Sequence, residues 1–284
     1  MYLLLSYYWP KITVLIEDNA HMKTNIITTG DGKRIAYSLD GPKDAPVVLL
    51  LNSIATTMHM WDGNLDDFVH TYQVLRYDFR GHGESDAPAE PYSIDRFGYD
   101  VIELLDALNI DTVDVIGLSL GGLVAQWLAI YAPERVRKLV LANTFAYLSP
   151  RSERDELIIK AQHTTDMAGF ADMFMANWFP TEMLKSHDPI IEPFRQVILT
   201  MSPQGLAGAL AVVRDTDYRR VIKLIQAPTL VIGGQYDIVT TLELSEEIAA
   251  SIPHAQLEVL PGSHLSNVQF PERFAQIVLQ FLAA

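Results

Sequence analysis

Three residues have types and surroundings suited to acyl chemistry: Ser119, Asp237 and His264. Ser119 lies in Gly117-Leu118-Ser119-Leu120-Gly121-Gly122, directly after the strand-like run Val113 to Ile116 and directly before a helical pattern. A Gly-x-Ser-x-Gly turn from strand to helix is sharp. It holds the serine in a strained backbone conformation, and side chains at the flanking positions would clash. The serine hydroxyl is thereby exposed. The unpaired N–H groups at the start of the helix, Leu120 N–H first, point toward a developing oxyanion. A hydroxyl is a poor nucleophile without a base, and the chain order expected with this turn is serine, acid, histidine.

Eight histidines compete for the role of base. His264 follows the last strand-like run in Pro261-Gly262-Ser263-His264-Leu265-Ser266-Asn267 and precedes the last helix. Loops at the C-terminal ends of parallel strands are where α/β proteins place their sites, so His264 is the expected base. His254 reads as part of a surface turn, and His21, His70, His163 and His187 have no matching context. His59 and His82 are candidates to line the site without acting as the base. Asp237 follows the strand-like run Leu230 to Ile232 through Gly233-Gly234-Gln235-Tyr236. It is the expected acid, orienting the imidazole and stabilising its charged form. Asp215 and Asp217 are second choices because they precede that strand. The second oxyanion donor is expected from Asn52-Ser53-Ile54-Ala55, after the run Val47 to Leu51, with Ile54 giving its backbone N–H beside that of Leu120.

These loops need a frame. Asn25 to Thr28 and Arg34 to Leu39 flank Asp31-Gly32 and read as a hairpin. Val47 to Leu51, Gln73 to Tyr77, Val113 to Ile116, Leu139 to Leu141, Thr229 to Ile232 and Leu257 to Leu260 read as strands. Ile94 to Leu108, Leu120 to Ala132, Leu242 to Ser251 and Pro271 to Phe281 read as helices. Strands alternating with helices predict an α/β fold: a mostly parallel sheet with helices on both faces. Residues 145–220 break the rhythm. They are helical, rich in methionine and aromatics, and interrupted by Pro150, Pro180, Pro189, Pro193 and Pro203, so they read as a helical cap inserted into the sheet domain. The expected division is a 1–22 extension, a core of 23–144 and 221–284, and a 145–220 cap.

Composition narrows the partners. With 21 basic and 35 acidic residues the net charge is −14. This argues against nucleic acid as a partner and against an anionic membrane surface. Absence of cysteine removes disulfides, thiolate catalysis and cysteine metal sites. No metal or cofactor is needed for the serine chemistry. Residues 1–16 are apolar but broken by Pro10 and Lys11, too short for a span, and they lack the marks of an export signal. They read as an extension or an upstream start, with a docking arm as the alternative. A cytoplasmic location is inferred from these points. Asp78-Phe79-Arg80-Gly81-His82-Gly83-Glu84-Ser85 lacks the Gly-Lys-Ser/Thr ending of a phosphate loop. It reads either as a structural loop near the site or as plain turn chemistry.

The elbow, Asn52-Ser53-Ile54, Arg76-Tyr77-Asp78-Phe79-Arg80-Gly81-His82-Gly83, Trp127, Ala132-Pro133-Glu134-Arg135-Val136, Leu141-Ala142-Asn143-Thr144 and His264-Leu265-Ser266-Asn267-Val268 together resemble the 3-oxoadipate enol-lactonases of the α/β-hydrolase superfamily. Asn177-Trp178-Phe179 and Arg214-Asp215-Thr216-Asp217-Tyr218-Arg219 are similar to that family's cap motifs. Ala55 stands where the family usually has glycine, and Ala211-Val212-Val213 replaces a more polar stretch.

The resemblance implies an α/β-hydrolase fold and hydrolysis of a small-molecule lactone or ester through an acyl-enzyme. A 3-oxoadipate enol-lactone carries a carboxylate, so a local cation is required. Arg214 is the candidate, against an ion pair with Asp215, Asp217 or a neighbouring helix; Lys185 and Arg195 rank behind it. Trp178 is pocket wall or cap core. A carboxylesterase for small monoesters and a cofactor-free C–C hydrolase are alternatives. A ligand receptor on the same scaffold is the reading from another class, to be marked by slow single-turnover labelling of Ser119. Sequence leaves the oligomeric state open.

Overall fold

Apolar residues on both faces of a strand leave it no solvent side, so Val47–Leu51 and Val113–Leu118 have to lie inside a sheet. They do in the computed structural model, which describes residues 24–284; the expectation for residues 1–22 lies outside the described residues. Eight strands form one sheet: β1 (Asn25–Thr28), β2 (Arg34–Asp40), β3 (Val47–Leu51), β4 (Gln73–Tyr77), β5 (Val113–Leu118), β6 (Val136–Ala142), β7 (Thr229–Gly234) and β8 (Gln256–Leu260). Their order is β1-β2-β4-β3-β5-β6-β7-β8. β1 and β2 form the expected hairpin, β2 pairs antiparallel with β4, and the remaining pairs are parallel. Every residue of β3, β5 and β7 is buried, whereas β8, at the edge, is exposed over its first four residues.

Helices cover both faces. α1 (Asp62–Val69) packs with α11 (Pro271–Ala283), and α2 (Ile94–Ala107) packs with α3 (Leu120–Tyr131). No helical period is legible over α1, which contains Gly63, Asn64 and three aspartates. Tertiary packing forms it: Phe68 is buried, and the buried Asn64 side chain donates to the carbonyls of Asn267 and Pro271.

Between β6 and β7 run α4 (Arg151–His163), α5 (Ala168–Trp178), α6 (Thr181–Lys185), α7 (Ile191–Thr200) and α8 (Pro203–Asp215), with no strand among them. The stem of this insertion is closed. Tyr218 N–H donates to the carbonyl of Ala146 at 2.8 Å, and the buried Gln126 amide donates to the carbonyl of Phe145 at 2.9 Å. The series ends with α9 (Leu242–Ser251), between β7 and β8, and α10 (Ser266–Gln269), a short turn before α11. No single helix among the described residues is long and apolar enough to cross a membrane.

Candidate active site

The register of the parallel strands brings the expected site residues together. Leu51 lies beside Gly117, Leu118 beside Ala142, Ala142 beside Ile232, and Gly234 beside Leu260. The chain segments leaving these strands therefore start in one row: Asn52, Ser119, Asn143, Gln235 and Pro261. Asp237 and His264 sit a few residues further along the last two.

Ser119 has φ 58° and ψ −116°, a conformation unfavourable for any L-residue. Its surroundings impose it. A Cβ on Gly117 would lie 2.3 Å from Gly121 O, and one on Gly121 would lie 2.2 Å from Leu51 O, so neither position admits a side chain. Ser119 N–H donates to Ala142 O at 3.1 Å, and Thr144 Oγ1 donates to Ser119 O at 2.7 Å, fixing the turn from both sides. The serine hydroxyl makes no capping bond to α3.

His264 Nδ1 is 2.9 Å from Asp237 Oδ2, and both side chains are buried. A carboxylate only accepts, so Nδ1 carries the proton and Nε2 is left with its lone pair. Asp237 accepts at every turn: Val239 N–H at 2.8 Å and Thr240 N–H at 3.0 Å reach Oδ1, and Thr240 Oγ1 at 2.6 Å and Asn143 Nδ2 at 2.9 Å reach Oδ2. Burial works to raise the Asp237 pKa. The neighbouring imidazole and the hydrogen bonds outweigh it and hold the carboxyl down at about 2.

Ser119, His264 and Ile54 line a cavity of about 800 Å³ whose other walls come from the insertion and from the 238–247 segment. Trp178 lines it too, its ring 4.9 Å from that of Phe174 and tilted by 38°. Arg214 is not among its lining residues. Its guanidinium is bound to Asp215 at 2.7 Å and to Asp155 at 2.8 Å, as the ion-pair alternative had it. Arg195 is paired with Asp172 at 2.6 Å. Lys185 is exposed on α6. The arginines that do line the cavity are Arg154 and Arg219.

Comparison with protein families matches residues 46–271 to the alpha/beta hydrolase fold. The chain belongs to the α/β-hydrolase family. Among curated proteins the hydrolase is similar to 3-oxoadipate enol-lactonase 2 of Acinetobacter baylyi, at 35% identity over 260 residues that cover 91% of this chain and 96% of that one. Among solved structures it is similar to a hydrolase from Pseudomonas aeruginosa PA01, with 48% identity, TM-score 0.91, and coverage of 92% and 99% of the two chains. It is also similar to the enol-lactonase from Burkholderia xenovorans LB400, with 30% identity, TM-score 0.89, and coverage of 92% and 100%.

The expected donors Ile54 and Leu120 lie on the 52–55 loop and at the start of α3. Asn52 O accepts Gly121 N–H at 2.9 Å, which seats the 52–55 loop against the elbow. Among the described residues neither Ile54 N–H nor Leu120 N–H has a partner. Ala55 has φ 56°, a left-handed conformation that glycine adopts freely and alanine only at a cost of about 1–2 kcal/mol. His82 holds it there. The buried ring accepts Ala55 N–H on Nε2 at 3.1 Å, and Nδ1 contacts Arg80 O at 3.1 Å, so the 78–85 loop supports the 52–55 loop. The remaining described histidines, His59, His70, His163, His187 and His254, are exposed.

Burial pushes the His82 pKa down to about 4. Between that value and the ordinary 6.5 the unfolded chain binds more protons than the folded hydrolase. Stability therefore rises with pH across this window, and about 3 kcal/mol is lost on acidification from pH 7 to 4. His82→Gln can still accept Ala55 N–H through its amide oxygen and does not titrate. Urea unfolding at a series of pH values should show a flatter acid limb for the variant by about that amount. Parallel curves would disprove the coupling.

Three supporting residues were not anticipated in these roles. Asn143, at φ 43°, ties Asp237 to Ser263 O and accepts from Ser266 Oγ at 2.6 Å. Thr240 grips Asp237 by both backbone and hydroxyl. Gln269 accepts Ser263 N–H at 2.8 Å and donates to Trp178 O at 3.1 Å, linking the His264 loop to the end of α5. The available signal was positional: Asn143 directly follows β6, in the same row as Ser119.

Proposed function

We propose that this hydrolase opens a lactone or cleaves a small carboxylic ester through an acyl-enzyme, with a 3-oxoadipate enol-lactone-like compound as substrate. The observation that carries the reading is the strained Ser119, which shares a cavity with His264 while Asp237 holds His264 Nδ1. The names of the enol-lactonase relatives support the substrate.

In this reading Ser119 Oγ attacks the carbonyl carbon as His264 Nε2 takes its proton. The tetrahedral oxyanion is held by the N–H groups of Ile54 and Leu120. Its collapse breaks the acyl–oxygen bond, and the ring oxygen leaves as an enolate that takes the proton from His264 and tautomerises to a ketone. Both halves stay joined in one open chain, esterified to Ser119. Water, deprotonated by His264, then attacks the ester carbonyl and releases the acid with Ser119 restored. Asp237 keeps the imidazole in the required tautomer and stabilises its charged form at each transfer. Residues 145–220 act as the cap that reads the substrate.

The test is turnover of 3-oxoadipate enol-lactone beside neutral lactones and aryl esters, for the wild type and Ser119→Ala. A kcat/KM above about 10⁴ M⁻¹s⁻¹ for the enol-lactone, lost in the variant, is the expected result. Weak lactone turnover with strong Ser119-dependent ester cleavage would replace the substrate assignment with a carboxylesterase.

A further inference from the structure

A chain of net charge −14 repels anions at long range, so a cavity that admits an anionic ligand needs a cation of its own. Four charged side chains line the cavity around Ser119: Glu153, Arg154, Arg219 and Glu247. Both glutamates are exposed. Arg219 is already neutralised. It grips Asp217 through two hydrogen bonds of 2.9 and 2.6 Å, lies 3.8 Å over the Tyr147 ring, and leaves more than half of its side chain in solvent.

Arg154 is different. Its side chain is 13% exposed, and its carboxylate neighbour, Glu153, is 3.9 Å away and itself 68% exposed. Among the described residues its guanidinium makes one hydrogen bond, to Pro150 O. The other N–H groups of a five-donor fork are left over. Arg154 also stands in the first turn of α4, the positive end of the helix, where a cation is disfavoured unless an anion is close. Burial lowers its pKa below the usual arginine value, the sign of a charge short of compensation.

We propose that Arg154 is the specificity-determining residue of this site, and that its free donors bind a carboxylate carried by the substrate on an arm directed toward α4. The inference rests on the hydrolase reading above and replaces Arg214 as the cation of the site. A guanidinium–carboxylate contact in a partly buried place selects the charged ligand over a neutral one of the same shape by about 10–100-fold.

The probes are a saturated γ-lactone bearing a carboxymethyl arm and the same lactone bearing a carboxamide. In kcat/KM the wild type is expected to prefer the acid by at least about tenfold. In Arg154→Gln the preference should fall to near one, carried by KM, and Arg154→Lys should restore part of it. Calorimetric binding of both lactones to Ser119→Ala, with and without Arg154→Gln, separates this inference from the reaction. If the acid binds tighter only when Arg154 is present, the inference holds even should turnover prove independent of Ser119. If acid and amide bind alike with Arg154 present, or the preference survives Arg154→Gln, the inference is overturned even should turnover follow Ser119.

Discussion

Replacing Ser119 by alanine is expected to lower kcat by about 10⁶-fold and to leave the fold in place. The size follows from the roles of the three groups. Without the hydroxyl there is no covalent intermediate, and an intact imidazole–carboxylate pair has nothing to deprotonate but water. Residual rate would come from the oxyanion donors and binding alone. The fold should tolerate the change because the hydroxyl caps nothing and alanine meets the same backbone strain as serine at φ 58°. The measurement is steady-state turnover together with a melting curve and mass spectrometry after an active-serine phosphonate. Wild type should gain one adduct on Ser119, and the variant none. Substantial turnover by a folded Ser119→Ala protein would remove the acyl-enzyme from consideration.

Asp237→Asn is expected to cost about 10⁴-fold in kcat. The asparagine amide would face the imidazole with a donor or lose its orientation, and His264 would be held in the wrong tautomer. This substitution should also weaken the fold. Four donors besides His264 point at the carboxylate, and an amide can accept on one side only. At least one buried donor is left unpaired, at about 1–3 kcal/mol.

The pH dependence gives a second readout. Asp237 titrates at about 2 in the folded protein, below its ordinary 3.8, so its contribution is fully present above 3.8 and is lost as pH falls through 2. The contribution is about 2 kcal/mol. In the variant this part of the acid limb should vanish. A stable Asp237→Asn protein with normal turnover would contradict both the role and the linkage.

The sheet and the candidate site were legible for one reason. Strands buried on both faces write themselves as continuous apolar runs, so Val47 to Leu51 coincides with β3. Once strand order is parallel, residues just past the strand ends share one edge, which suffices to bring Ser119, Asp237 and His264 together. What strand ends do not encode is the direction of a charged side chain on a helix of the insertion. Arg214 and Arg154 both sit in mixed-charge segments of the insertion. Only three-dimensional packing decides that the first meets Asp155 and the second the cavity. Asn143, Thr240 and Gln269 were hidden for a related cause. A single polar residue has no periodicity, and Asn143 and Gln269 meet Asp237 and Trp178 across 94 and 91 positions.

The closed stem of the insertion has a consequence for how the molecule can change. Chain leaves the sheet after β6 and returns to the adjacent β7, with Tyr218 fastened to Ala146. To the sheet, everything between is a single loop with fixed ends, and loop length is cheap: each doubling costs only about 0.6 kcal/mol of closure entropy. The segment therefore behaves as a cassette. Its sequence, length and helix count can be exchanged as one contiguous piece of gene while the row of strand ends keeps the hydroxyl, imidazole and carboxylate in register. A replacement cassette has local obligations at its far side: a carbonyl where Trp178 now meets Gln269, so that the histidine loop stays moored, and small residues where Gly205 and Gly208 now approach Gly81 and Tyr92.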